Sequence, residues 1–277
     1  MKIAQFGTFD VENFGDLLFP LILRYRLRDI EGLQFEHVSP VGGEPIWADC
    51  VPSISIRDFA SRSSDFGCVF IGGGNIIHAN ISDVGGYRAG GGAHYADLWL
   101  GASLAAAPEA PVIWLAPGLA APLPRPLTEQ VHEALQRASI LAVRDEISQR
   151  YLQEIDPDAG VLLVPDTAWE VNHLWTEDKL RDARHRAFTD RGHDVPDRIA
   201  VLHLNTRYFA GQNPEDVARH VDEIAEHLNA TPVLVALGPC HGDDITAQKI
   251  ALLAKSKSVV LEPRSLSEVV GCLSNSV

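Results

Sequence analysis

Basic residues are scarce in this chain. Lys and Arg number 23 against 37 Asp and Glu, a formal net charge of −14 over 277 residues. A chain with that balance has no basic face with which to neutralise phosphates, which excludes a non-specific nucleic-acid binder and a polybasic membrane anchor. An anionic small molecule stays admissible, provided a few arginines are gathered locally. Cysteine is also sparse. Cys50, Cys68, Cys240 and Cys272 include no C-x-x-C pair, so a zinc ribbon and a thioredoxin motif are excluded. Four scattered cysteines in a chain this long read as reduced thiols rather than a disulfide framework. No apolar run is long and unbroken enough to span a bilayer. Leu98 to Pro124 holds a single charge, Glu109, but Pro108, Pro111, Pro117, Pro122 and Pro124 interrupt it. The opening Met1-Lys2-Ile3-Ala4-Gln5-Phe6 reads as a strand and not as a signal peptide, so the expected location is cytoplasmic. Dinucleotide (G-x-G-x-x-G), P-loop, G-x-S-x-G, H-E-x-x-H and EF-hand patterns are all missing, which disfavours the chemistries that each of them serves.

What is present is a globular composition, 46% hydrophobic and 22% charged, in an alternating order of short apolar runs and helical periodicities. Lys2–Phe6, Phe35–Ser39, Cys68–Ile71, Val112–Ala116, Ile140–Val143 and Val161–Val164 read as strands. Leu18, Leu21, Ile22 and Tyr25 mark a helix expected to begin close to Pro20, since proline is best tolerated in a first turn. Val131, Leu135 and Ala138 mark another, and Asp145 is placed to cap a third. Thr176 to Arg198 reads as a solvated helix and linker. Beyond it come strands at Ile199–Leu204, Pro232–Leu237 and Val259–Leu261, with helices at Pro214–Leu228, Asp243–Ala254 and Leu266–Leu273. Ser265 and Glu268 are spaced as a capping box for the last of these. The alternation predicts an α/β fold, a Rossmann-like parallel sheet with helices on both faces. The expected domains are residues 1–173 and a shorter second one, 174–277, with only three strands.

Ligands of parallel sheets sit at the carboxyl ends of strands, so the candidate residues are sought there. Gly7 to Asp16 follows the first strand, with Asn13, Gly15 and Asp16 at its helical end; the bland reading makes Asp16 a helix cap. Gly72-Gly73-Gly74-Asn75 follows the third strand and continues into Gly85-Gly86 and Gly90-Gly91-Gly92, with His78, Arg88 and His94 between. Such a glycine-rich loop reads as functional or mobile rather than as filler. The spacing of His78 and His94 is not diagnostic of a metal, and no metal site is expected. Arg144 follows the Ile140–Val143 strand and can clamp a carboxylate or phosphate with two parallel hydrogen bonds, unless it is spent on Asp145 or Glu146. Asp166 follows the next strand and can cap a turn, position a base or orient Arg144. Arg207 and His241 occupy strand ends of the second half, where His241 is the best-placed group for acid–base work.

Taken in order, Asn13, Gly15 and Asp16, then Gly72, Gly73 and Gly74, then Val143, Arg144, Asp145 and Ser148, then Asp166, resemble the polysaccharide pyruvyl transferase family over about residues 1–170. The resemblance implies a GT-B-like arrangement of two Rossmann-like domains with the site in the cleft between them. It implies transfer of a pyruvyl group from phosphoenolpyruvate, as donor substrate and without a further cofactor, to a sugar hydroxyl in glycan or secondary-metabolite biosynthesis. Carried over to this chain, Arg144 is the anion clamp and Asp16 an acceptor contact or base; His241, singled out above by its place at a strand end, is a third catalytic candidate. Asn13, Gly15, Gly72, Gly73, Gly74, Asn75, His78, Asp166 and Arg207 are candidates for substrate binding. The family pattern continues with an Arg-x-His motif on a further strand. None follows the last helix here, so the second domain is expected to be partial, leaving room for a homo-oligomer or for a partner chain that completes it. Two other readings compete: a GT-B-like glycosyltransferase that uses a nucleotide-sugar, and a non-catalytic binding or regulatory protein on a truncated scaffold.

Overall fold

The computed structural model describes residues 1–277 apart from 83, 89, 90 and 210. Gly90, part of the glycine cluster above, therefore lies outside the described residues. The chain divides into two compact units. The first comprises Met1–Val11, Gly15–Ile46 and Val51–Leu174; the second comprises Glu12–Phe14, Trp47–Cys50 and Trp175–Val277.

The elements run β1 (Lys2–Phe6), α1 (Phe14–Arg26), β2 (Gln34–Ser39), β3 (Ile54–Ser55), α2 (Ile56–Ser61), β4 (Cys68–Gly72), β5 (Ile81–Ser82), α3 (Gly85–Arg88) and β6 (Ala93–His94). There follow α4 (Ala102–Ala105), β7 (Val112–Leu115), α5 (Thr128–Arg137), β8 (Ala138–Val143), α6 (Glu146–Ile155) and β9 (Val161–Leu163). The remainder is α7 (Glu177–Thr189), β10 (Ile199–His203), α8 (Thr206–Phe209), α9 (Pro214–Leu228), β11 (Thr231–Val235), α10 (Asp243–Leu253), β12 (Val259–Leu261) and α11 (Leu266–Leu273).

Among the described residues the first unit holds a seven-stranded sheet in the order β3-β2-β1-β4-β7-β8-β9, every neighbouring pair parallel. The order reverses between β1 and β4, which makes the carboxyl ends of these two strands the topological switch point where α/β sheets take ligands. Both strands are buried along almost their whole length because a central parallel strand is covered on both faces. One face packs Phe6, Val69, Ile71, Val112 and Trp114 against Phe59, Phe66, Trp99, Val131 and Leu135. Trp99 and Trp114 meet edge to face at 5.7 Å, and the Trp114 indole N–H donates to Ser103 Oγ at 3.1 Å. The second unit has a three-stranded parallel sheet, β10-β11-β12.

Several local expectations change. α1 starts at Phe14, six residues ahead of Pro20, and carries that proline in its interior. Leu17, Leu18 and Phe19 are buried ahead of it. At about 1.5–3 kcal/mol for each such side chain, their burial offsets the roughly 3 kcal/mol cost of an interior proline. Asp16 accordingly lies in the first turn of α1 rather than capping it. The segment read as a solvated helix and linker supplies α7, whose Leu180, Ala183, Ala187 and Phe188 are buried. Its polarity is that of one exposed face only. Ser265 caps α11 by accepting the Glu268 N–H, but the box is not closed. The Glu268 carboxylate accepts the Arg264 N–H at 3.1 Å and pairs with Arg191 at 2.9 Å instead. The closed capping box is at Ser55 and Asp58, opening α2.

Candidate active site

At the carboxyl edge of the seven-stranded sheet, Arg144 extends from the end of β8. Its Nη1 donates to Asp166 Oδ2 at 2.6 Å and its Nη2 to Asn75 Oδ1. The guanidinium is thus spent on neither Asp145 nor Glu146. Asp145 caps α6 through Ser148, and the Ser148 hydroxyl accepts the Leu119 N–H at 2.8 Å. Asp166 has two tasks: its Oδ1 caps the turn at Ala168 while its Oδ2 holds Arg144. A guanidinium has five N–H donors. These two bonds fix its plane and leave three donors, on a side chain 20% exposed, for a ligand.

Gly73 and Gly74 take φ values of +84° and +70°, which lets the chain turn sharply off β4 and present Asn75 to Arg144. The Asp16 carboxylate lies against Gly74: a Cβ there would sit 2.8 Å from Oδ1. Gly74 O accepts the Gly118 N–H at 2.9 Å. Gly118 is a member of this cluster that the sequence reading missed. A Cβ on it would lie 2.5 Å from Asn75 Oδ1 and 2.7 Å from Arg144 Nε. The available signal was Pro117-Gly118 directly after a strand, where a glycine marks close approach of backbone to another group. Asp16, Gly74, Asn75, Gly118, Arg144 and Asp166 therefore form one connected cluster. Gly15 leads into it, and Gly72 supplies the strand end.

A second assembly flanks it. Asp10 Oδ1 accepts the Tyr87 hydroxyl at 2.7 Å, and its Oδ2 accepts the N–H groups of Val41 and Gly42 at 2.8 and 2.9 Å. Burial first, and the Asp10 carboxylate second, push the Tyr87 phenol up, so it remains a hydrogen-bond donor. His78 is buried beside Tyr95 with ring centroids 4.1 Å apart, and its Nδ1 accepts the Asn80 N–H at 3.1 Å. Burial pushes its imidazole down, toward the neutral form. Among the described residues no group of three metal-ligating side chains is assembled.

Asn13, Arg207 and His241 belong to the second unit. His241 lies in the turn after β11; burial, then Arg207, lowers its pKa, while Asp243 pulls the other way. The structure thus brings Asn75, Arg144 and Asp166 into direct contact, with Asp16 and the glycines around them. It places His78 in a separate buried stack.

This sheet and these strand-end loops define a GT-B-like, Rossmann-type enzyme fold. The chain belongs to the polysaccharide pyruvyl transferase family, whose pattern it matches over residues 13–276. No curated protein matches it. Among solved structures it is similar to UDP-GlcNAc 2-epimerase from Methanocaldococcus jannaschii, at TM-score 0.56 and 12% identity over 100% of this chain and 77% of that one. It is also similar to UDP-GlcNAc 2-epimerase from Neisseria meningitidis bound to UDP-GlcNAc, at TM-score 0.53 and 16% identity over 100% and 76%. At that identity the likeness is one of fold. Among the described residues, no helix is long and apolar enough to cross a membrane.

Proposed function

We propose that this chain transfers a pyruvyl group from phosphoenolpyruvate to two hydroxyls of one sugar, forming a cyclic ketal and releasing inorganic phosphate. Membership of the family supports the reaction class, and one observation carries the donor: Arg144, oriented by Asp166 and Asn75, keeps three N–H donors for an anion. Phosphoenolpyruvate bears a carboxylate and a phosphate, and charge-assisted bonds from an arginine to either are about twice as strong as neutral ones. With 37 acidic side chains against 23 basic ones, an oriented arginine matters more here than in a basic protein. The reaction requires no metal and no further cofactor.

The remaining assignments belong to the same reading. Asp16, beside Gly74, contacts the acceptor hydroxyls or takes a proton from one. His241 is suited to the role of base, since burial and Arg207 favour its neutral form. Asn13, Gly15, Gly72, Gly73, Gly74, Asn75, His78 and Arg207 line or shape the binding surfaces. A cytoplasmic setting fits four cysteines that form no disulfide among the described residues.

The test is incubation of the full chain with phosphoenolpyruvate and the methyl glycosides of galactose, glucose and mannose. Phosphate release and the mass of the glycoside are followed together. Ketal formation that falls at least a hundredfold in Arg144→Ala is the expected result. Stabilisation of the chain by UDP or a UDP-sugar, with neither stabilisation nor turnover by phosphoenolpyruvate, would overturn the proposal.

A further inference from the structure

One half of the seven-stranded sheet lacks a cover on one of its faces. The register sets Ile113 of β7 beside Ile140 of β8, and Leu115 beside Ala142, which in turn neighbours Leu162 of β9. Neighbours in register share a face, so Ile113, Leu115, Ile140 and Leu162 form one apolar patch. The opposite face of these strands is sealed, with Trp114, Leu141 and Val161 buried. On the patch side, α1 and the turn after it cover Ile3, Cys68 and Phe70 through Leu23 and Leu27, and that cover ends at Ile113 and Leu115. Ile140 and Leu162 beyond it are 45% and 54% exposed. A parallel sheet is ordinarily buried on both faces, and contiguous bare apolar surface marks an interaction site. The two rims of the patch differ in charge. Because α1 joins two parallel strands it runs back along the sheet, so Arg28, just past its end, lies at the amino edge. The turn from α6 into β9 reaches that same edge with Asp158. Arg28 is exposed, rests over the Tyr25 ring at 4.0 Å, and has the exposed Asp29 as ion partner at 3.7 Å. Asp158 is exposed and, among the described residues, has no ion pair.

We infer that a second copy of this chain covers the patch, the two sheets stacking face to face about a twofold axis that lies between them and runs along the strands. The inference uses the first unit alone and is independent of the reaction proposed above. The charges choose both the occupant and the axis. A twofold axis along the strands keeps the amino edges of the two copies level and exchanges left for right. The Arg28 rim of each copy then faces the Asp158 rim of the other, twice in one interface. An axis across the strands would set Arg28 against Arg28 and Asp158 against Asp158. The axis along the strands also leaves the stacked strands aligned, as packed sheets prefer. The extent is sufficient. From β4 to β9 there are three strand spacings of about 4.8 Å, and β8 has 6 residues at about 3.3 Å each, a floor of roughly 300 Å². A rim about one side chain deep on every side brings it to roughly 700 Å², close to the 800 Å² or so that each partner gives to a standard interface. The expected affinity is micromolar, since part of that area is polar rim.

Sedimentation velocity of the full chain over about 1–100 µM tests this. The wild type is expected to pass from monomer to dimer across that range. Ile140→Glu and Leu162→Glu each put a carboxylate in the middle of the patch, and each is expected to hold the chain monomeric throughout. Both positions are half exposed, so the folded monomer accommodates the change, and thermal melts at the lowest concentration check that it does. The charged rims test the axis. Arg28→Glu and Asp158→Arg are each expected to weaken the dimer at least about tenfold, and together to restore it to within about threefold of wild type. These two residues lie on the surface, so the exchange decides the matter even where a glutamate in the patch destabilises the fold. A wild type that stays monomeric at the top of the range overturns the proposal and leaves the face to a partner of different sequence. Dimers that survive both glutamate substitutions overturn it as well, because the contact then lies elsewhere. A double variant no better than either single one refutes the axis, and with it the pairing of this face with itself.

Discussion

A strong acid-side pH dependence in the first unit is expected from a residue outside the Arg144 cluster. His37 lies on β2, cross-strand from Gln5 of β1, with 2% of its surface exposed. Neither ring nitrogen has a hydrogen-bond partner, and neither does Gln5 Oε1. The Phe9 ring packs edge-on at 5.8 Å. Burial, and then the positive charge of Arg24, hold the imidazole down to about 3 from its ordinary 6.5. The unfolded chain takes up a proton near 6.5 that the native chain refuses until about 3. The stabilisation is therefore complete above 6.5 and is lost as pH falls between these values. At about 1.36 kcal/mol per pH unit, a drop to pH 5 costs about 2 kcal/mol. That is a large part of a typical domain stability of about 5–15 kcal/mol. Urea unfolding at pH 7.5 and pH 5, for wild type and for His37→Phe, isolates this group, because the other histidines and the carboxylates titrate in both. The loss on acidification should be smaller in the variant by about 2 kcal/mol, or about 1 M in urea midpoint at a slope near 2 kcal/mol per M. A difference below about 0.5 kcal/mol would mean that water or rearrangement solvates the imidazolium, and the reasoning would fail.

Gly118→Ala should displace Asn75 and Arg144 while leaving the melting temperature within about 3 °C, because the Cβ meets the ends of two flexible side chains. Turnover with phosphoenolpyruvate should fall at least tenfold, and unchanged turnover would detach Gly118 from the site. In Gly73→Ala, by contrast, the φ of +84° and a Cβ driven into the Phe19 ring should cost about 3 kcal/mol, read as a lower urea midpoint. Glu268→Ala leaves Arg191 buried without its partner and strips a cap from the Arg264 N–H; a loss of about 3–5 kcal/mol in equilibrium unfolding checks it.

The sheet was legible because its strands are short, mostly apolar runs bounded by glycine, proline or polar residues, as Cys68–Gly72 is before Gly73. Helix limits were less so. Proline at position 20 argued for a start there, yet tertiary burial of Leu17, Leu18 and Phe19 decided the matter. Spacing found Asp145 as a cap because that bond is local. It misjudged Glu268, whose partner Arg191 is 77 residues away. The same reason hid the most informative contacts. Arg144 and Asn75 are 69 residues apart, and Tyr87 and Asp10 are 77 apart. Asp243 at a helix start looks in sequence like any solvated acidic first turn; only its burial and its two backbone partners distinguish it.

The division of the chain into units bears on how they can be moved between proteins. A cut after Leu174 removes two short stretches that fold with the second unit. Phe14 packs against the cluster of Val233, Val235 and Leu261, and its N–H donates to Leu237 O at 2.7 Å. Asp49 accepts the N–H groups of Leu266 and Ser267 at 2.6 and 2.9 Å at the start of α11. A 175–277 fragment would carry a hole where one aromatic ring had been and would lose the Asp49 bonds at the start of α11. The second unit is therefore not a transplantable module. A chimera that exchanges it must graft residues 12–14 and 47–50 along with it, which a single crossover cannot do.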